Sequence, residues 1–363
     1  MMRLAAISFL GLVFLICYGS RIDWHNPDVD FAPFYSAARV GPSEYLHADA
    51  MRAENAKLGA VLNARLYVPR PPVFVALMRP LARLPFRSAI LLWRIICVLS
   101  IIGAVVIWSR WGRSIYTALA WSVPALWSVY NGQDGSLWLL ATSASLVIPN
   151  PWMAGAVLGF AVFKWHLFVF IAPVLVAKSE WERLGAASAT VAALIGASFA
   201  LCPDWFPRLL AVLRNPEMHP YFDKSPGLRS LFVASPMTFT ALMLLTVVLL
   251  FVAAKRLPLH VSVALALAAG CIVNAHSYAV DCTLLLPLAV LAIPAPVKGF
   301  LFCPLPYLAL LFSIPMLLWV GLATALISAS IPLRTDRQQG HSPQPFPSAQ
   351  SRSDAVPSSV APV

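Results

Sequence analysis

The sequence predicts an all-α, polytopic membrane protein, and three observations carry that prediction. Hydrophobic residues make up 60% of the 363-residue chain and charged residues only 11%, whereas a soluble domain carries about 25% charged residues. The mean hydropathy is +0.76. The apolar stretches run continuously rather than alternating, which speaks against a β-barrel and leaves helices as the means of satisfying backbone amides in lipid.

The elements follow in chain order. Met1-Met2-Arg3 and the apolar run to Cys17 imitate a signal peptide, but no Ala-x-Ala cleavage pattern precedes Arg21 and many spans follow, so the run is read as a retained first anchor. Spans are predicted near 4–20, 88–109, 115–130, 134–149, 152–165, 167–178, 184–202, 233–254, 259–274 and 280–294. A last apolar stretch, 299–330, is interrupted by Pro304, Pro306 and Pro315 and holds one long helix or two short ones, since a span needs about 20 residues. The expected total is about 10–12 helices, forming one transmembrane domain over 1–332. The Pro/Ser-rich segment 333–363 lacks apolar periodicity and reads as a disordered tail.

Short-loop cations set the orientation. Arg3, Arg110, Arg113, Lys178, Arg183, Lys255, Arg256 and Lys298 fall on one side, which the positive-inside rule makes the cytoplasm. The two large loops, 21–87 and 203–232, then face outward. The net charge of +11 is scattered over loops and tail without a basic stripe, so nucleic acid is not the expected partner. The six cysteines lie in or at the ends of apolar segments and form no CxxC pair, which suits packing better than disulfides or zinc.

Polar residues in such a chain need a reason. The first outer loop opens Asp23-Trp24-His25-Asn26-Pro27-Asp28-Val29-Asp30, followed by Phe31 and Phe34-Tyr35. One reading is a solvated turn with Asp28 capping the next helix. The other is a general base at the membrane surface, where aromatic neighbours raise a carboxylate's basicity. Further on, Tyr67-Val68-Pro69-Arg70-Pro71-Pro72 introduces an apolar segment, 72–86, whose Arg79 and Arg83 suit a surface or re-entrant helix. Arg70 and Arg79 are either phosphate contacts or snorkelling cations. Asn131-Gly132-Gln133-Asp134-Gly135 reads as an ordinary turn between spans, distinguished only by facing the same side as Asp30. Lys164 and His166 end a span on that side, where a cation must snorkel, pair or bind an anion. Arg229 closes the second outer loop and suits an anionic head group. His276, Tyr278 and Asp281 stand together between two apolar helices, also on the outer side.

These motifs, in this order, resemble glycosyltransferase family 87, membrane enzymes of the type C superfamily that includes polyprenol-phosphate-mannose-dependent mannosyltransferases. The resemblance rests on Asp30-Phe31 with Tyr35, Ala37-Ala38, Gly41 and Tyr45, and on Val68-Pro69-Arg70-Pro71-Pro72 with Pro80-Leu81 and Leu84-Pro85. It continues through Gly132-Gln133, Gly155 to Lys164, and His276-Ser277-Tyr278 with Asp281 and Leu284 to Pro287. Phe34, Trp165 and Asn274-Ala275 depart from the usual pattern.

The resemblance implies a type C-like bundle with a large first outer loop. It also implies an inverting transfer of a sugar, with mannose the leading candidate, from a polyprenyl-phosphate donor to a lipid or glycan acceptor. Asp30 would be the general base, with Asp28 as the alternative. Lys164, His276, Arg229 and Arg70 would serve the donor phosphate, and Tyr35, Gln133, Tyr278 and Asp281 complete the substrate site. The site would face outward from a cell inner membrane or plasma membrane. No glycine-rich nucleotide loop is present, which fits a lipid-linked donor. No cofactor is expected; Asp28 with Asp30 would hold Mg²⁺ only with help from water and phosphate. The competing reading is a multi-pass transporter or lipid flippase using Lys164, His166 and Asp281.

Overall fold

A computed structural model describes residues 2–27, 29–59, 68–214, 236–274 and 277–292. Every regular element among them is helical. Asp28, Tyr67, Arg229 and His276 lie outside the described residues, as do the stretch 299–330 and the tail.

The first helix, α1, runs Met2–Gly19. The segment between α1 and the next long helix carries short helices of its own: α2 spans Phe31–Val40, α3 Ala48–Lys57 and α4 Pro72–Ala82, before α5 at Phe86–Trp108. These short helices pack as a unit. Phe34 of α2 meets Phe74 of α4 edge to face at 5.3 Å, and the Tyr35 hydroxyl donates to the Leu84 carbonyl at 2.7 Å. Arg39 of α2 and Lys57 of α3 both bind Glu54. α2 is thereby fastened on three sides, which fixes Asp30 at its N-terminus.

Several predicted spans are broken into pieces. The 115–130 stretch is two helices, α6 (Ser114–Ala120) and α7 (Val123–Asn131), because Ser122 caps α7 and Pro124 sits in its first turn. The 134–149 stretch holds an 11-residue helix, α8 (Gly135–Ser145). Next come α9 (Pro151–Gly159), a 3₁₀ turn (Phe160–Lys164), α10 (Trp165–Phe168) and α11 (Ile171–Ala177), with a bend of 115° before α11. The rest comprises α12 (Trp181–Leu201), α13 (Trp205–Arg214), α14 (Pro236–Arg256), α15 (Leu259–Ile272) and a 3₁₀ segment (Ala279–Ala292). Among the described residues three helices have the length and apolarity to cross a membrane: α5, α12 and the Met237–Arg256 part of α14. The bent α9–α11 unit makes a fourth if counted as one span. Apart from α1, the remaining apolar pieces among the described residues are too short to span alone, since helices rise 1.5 Å per residue.

The long helices carry their apolar residues outward as well as inward. Leu91, Ile95, Leu99 and Val106 of α5, and Leu244, Val248 and Leu249 of α14, are exposed. Such faces suit lipid, where apolar exposure carries no penalty and helices join through close packing. α9 and α12 show that packing. A Cβ on Gly155 would fall 2.2 Å from the Arg183 carbonyl oxygen, and one on Gly159 would fall 2.5 Å from Thr190 Cβ. Two small residues four apart let the backbones touch.

Candidate active site

The site is assembled from loop ends and helix breaks. Arg70 stands immediately before α4, between Pro69 and Pro71, in a segment that the prolines keep from becoming helix. Its carbonyl accepts the Tyr45 hydroxyl at 2.5 Å, and its guanidinium reaches Asp134 through Nε at 3.0 Å and Nη2 at 3.1 Å. Both partners are buried, and the paired geometry is the strong form of an arginine–carboxylate contact.

The turn carrying Gln133 and Asp134 ends α7 in a left-handed glycine cap. Gly132 has φ 67°, its N–H donates to Val129, and the Gln133 N–H donates to Ser128 at 2.9 Å. A side chain at 132 would also strike Phe31 Cβ at 2.8 Å. The Gly132 carbonyl accepts the Trp93 indole N–H at 2.7 Å. This cap aims both Gln133 and Asp134 into the bundle.

Lys164 ends the 3₁₀ turn where α9 gives way to α10, and it is buried. Its Nζ donates to Asp281 Oδ1 at 2.5 Å and to Gln133 Oε1 at 3.0 Å, and lies 3.5 Å from Asp134 Oδ1. Asp281, near the start of the 3₁₀ segment, also accepts the Tyr278 backbone N–H at 2.9 Å. Asp134 takes a further bond from the Trp138 indole at 2.9 Å. Two cations and two carboxylates are thus buried together, as the cost of burying a lone charge demands.

Asp30 stands at the rim of this network. It occupies the N-cap position of α2, yet its side chain makes no capping bond there. Its Oδ2 instead accepts the Gln133 side-chain N–H at 2.6 Å, and the residue is half-buried. The network packs beside the first half of α5, where Trp93 and Cys97 meet the Gly132–Gln133 turn. Arg110 and Arg113 lie past the opposite end of α5, which is itself about 16 Å along the axis from Cys97 at helical rise.

The structure therefore brings together Asp30, Gln133, Arg70, Lys164, Asp281 and the backbone of Tyr278. Tyr35 stands apart: its ring is buried against Phe86 at 5.3 Å and its hydroxyl is bound to Leu84. Sequence reasoning passed over Asp134, Trp138 and Tyr45. The available signal for Asp134 was the presence of two cations on one face, each needing an acid if buried. Asp134 and Asp281 are occupied by cations, and among the described residues no three His, Cys, Asp or Glu side chains form a metal cage. Of the Asp28–Asp30 pair, only Asp30 lies within the described residues.

These features define a helical membrane protein in which charged residues from four separate segments meet beside one half-buried aspartate. Residues 69–294, more than half of the chain, match the model of Glycosyltransferase family 87. The chain belongs to that family and is a membrane glycosyltransferase. The match takes in Arg70, Gln133, Asp134, Lys164 and Asp281, and begins after Asp30. Comparison with curated proteins and with solved structures gives no match.

Proposed function

We propose that this glycosyltransferase moves a sugar, with mannose the first candidate, from a polyprenyl phosphate to a hydroxyl of a lipid or glycan acceptor. The reaction is a single inverting displacement at the outer face of an inner or plasma membrane. The acceptor oxygen attacks the anomeric carbon while the bond from that carbon to the phosphate oxygen breaks. The bonding pair leaves with the polyprenyl phosphate, and the acceptor proton passes to Asp30. Charge building on the departing phosphate requires positive groups already in position. Lys164 and Arg70 supply them, fixed by Asp281 and Asp134, and His276 and Arg229 are the further candidates.

The observation that carries this reading is the setting of Asp30. It is a half-buried carboxylate at the edge of a buried charged network, oriented by the Gln133 amide at 2.6 Å rather than spent on capping its own helix. The test is Asp30→Asn in membranes supplied with polyprenyl-phosphate mannose. Loss of a positioned base lowers transfer by about 10²–10⁴-fold; full transfer by the variant would overturn the assignment. Asp28→Asn, run alongside, separates the two carboxylates, and only the base should show the loss.

A further inference from the structure

Gln133 has a geometry that its place in a plain turn does not explain. Its backbone is locked by the α7 cap, with its N–H on Ser128 and its carbonyl facing the Cys97 thiol. Its amide lies between two charged groups of opposite sign. The nitrogen donates to Asp30 at 2.6 Å and the oxygen accepts from Lys164 at 3.0 Å. The orientation is forced, because a carboxylate only accepts and an ammonium only donates. Flipping the amide would set two donors face to face and two acceptors face to face.

We infer that Gln133 is a positioning residue, which holds Asp30 in place and ties it to the buried Lys164 through a neutral amide. This rests on the reading of Asp30 as the base. Lys164 directs its ammonium to Asp281, Asp134 and Gln133, so its hold on Asp30 is relayed through Gln133 and the cation itself stays off the carboxylate. Gln133 contributes this way without touching the sugar or the phosphate.

The full-length protein in its own membranes, supplied with polyprenyl-phosphate mannose, provides the test. Gln133→Leu should lower the maximal rate per enzyme by about 10- to 100-fold, as expected for a misplaced reacting group. The donor KM should stay within about twofold, because no ground-state contact is lost. Gln133→Glu keeps the shape and supplies a second readout if the leucine variant folds poorly. The introduced carboxylate cannot donate to Asp30 when ionised, but its protonated form can. The activity of this variant relative to wild type should therefore climb as pH falls. Among the described residues the other charged groups around this side chain are Lys164, Asp134, Asp281 and, through Asp134, Arg70, and all are shared by both proteins. A donor KM raised about tenfold at unchanged rate would make Gln133 a substrate contact and overturn the inference. A Gln133→Glu activity ratio that is flat with pH would overturn it too. Asp30→Asn separates the two levels. Full transfer by that variant removes the base and the relay together, whereas an inactive Asp30→Asn beside a fully active Gln133→Leu removes the relay alone.

Discussion

Asp30 and Asp134 occupy the same local position in different surroundings. Each stands at the N-cap of a helix, α2 and α8 respectively, with helical backbone angles, and neither side chain caps its own helix. Asp134 is fully buried, bound by Arg70 and the Trp138 indole and within reach of Lys164. Asp30 is half-buried and receives an amide from Gln133. The carboxylate enclosed by cations is part of the bundle's interior, whereas the one at the rim is half-buried and, on the proposed reading, placed to take the acceptor's proton. Residue type and position in a helix do not distinguish the two. Their neighbours do.

The contrast can be broken most severely at its buried end. Asp134→Ala leaves Arg70 and Lys164 short of a counter-charge, and removing one partner of a buried pair costs about 3–5 kcal/mol. Thermal unfolding of the purified protein should show a large loss of stability, and an unshifted transition would mean that the network is not structural. A smaller effect is expected where α9 meets α12. Gly155→Ala drives a methyl group against the Arg183 carbonyl and should cost about 1–3 kcal/mol, whereas Gly196→Ala on α12 meets nothing within 4 Å and should be tolerated. Equal transitions for the two variants would refute the close α9–α12 packing. The smallest effect belongs to Glu54 beneath α2. Burial pushes its carboxyl up, but hydrogen bonds from Lys57 and Arg39 outweigh this and hold it below the usual range. Its stabilising contribution is therefore complete at neutral pH and fades as pH falls through that lowered value. Because both basic partners are largely exposed, Glu54→Gln should cost less than about 1 kcal/mol, leave sugar transfer intact, and flatten the acid side of the stability profile.

Helicity, lipid-facing apolarity and the gathering of Asp30, Arg70, Gln133, Lys164 and Asp281 on one side were all legible from hydropathy and loop position. Continuous apolar runs do not show where they break. Ser122 with Pro124 divides one run into α6 and α7, and the bend before α11 divides another, so helices are shorter than the hydropathy windows. Asp134 was hidden for a different reason. In the string Asn-Gly-Gln-Asp-Gly it has the composition of a solvated turn, and in the fold it is buried against Arg70, Lys164 and Trp138, the first two of which come from distant segments that local sequence does not encode. Tyr35 was hidden by the reverse effect. Its polar hydroxyl suggests a ligand contact, but its nearest acceptor is a backbone carbonyl in the turn before α5.

The most direct test compares the two aspartates in one experiment, measuring sugar transfer from polyprenyl-phosphate mannose and thermal unfolding for Asp30→Asn beside Asp134→Ala. The account predicts that Asp30→Asn keeps its unfolding transition and loses about 100-fold or more of its transfer, while Asp134→Ala loses the fold itself. Asp30→Asn transferring sugar at the wild-type rate, or unfolding as readily as Asp134→Ala, would contradict the account.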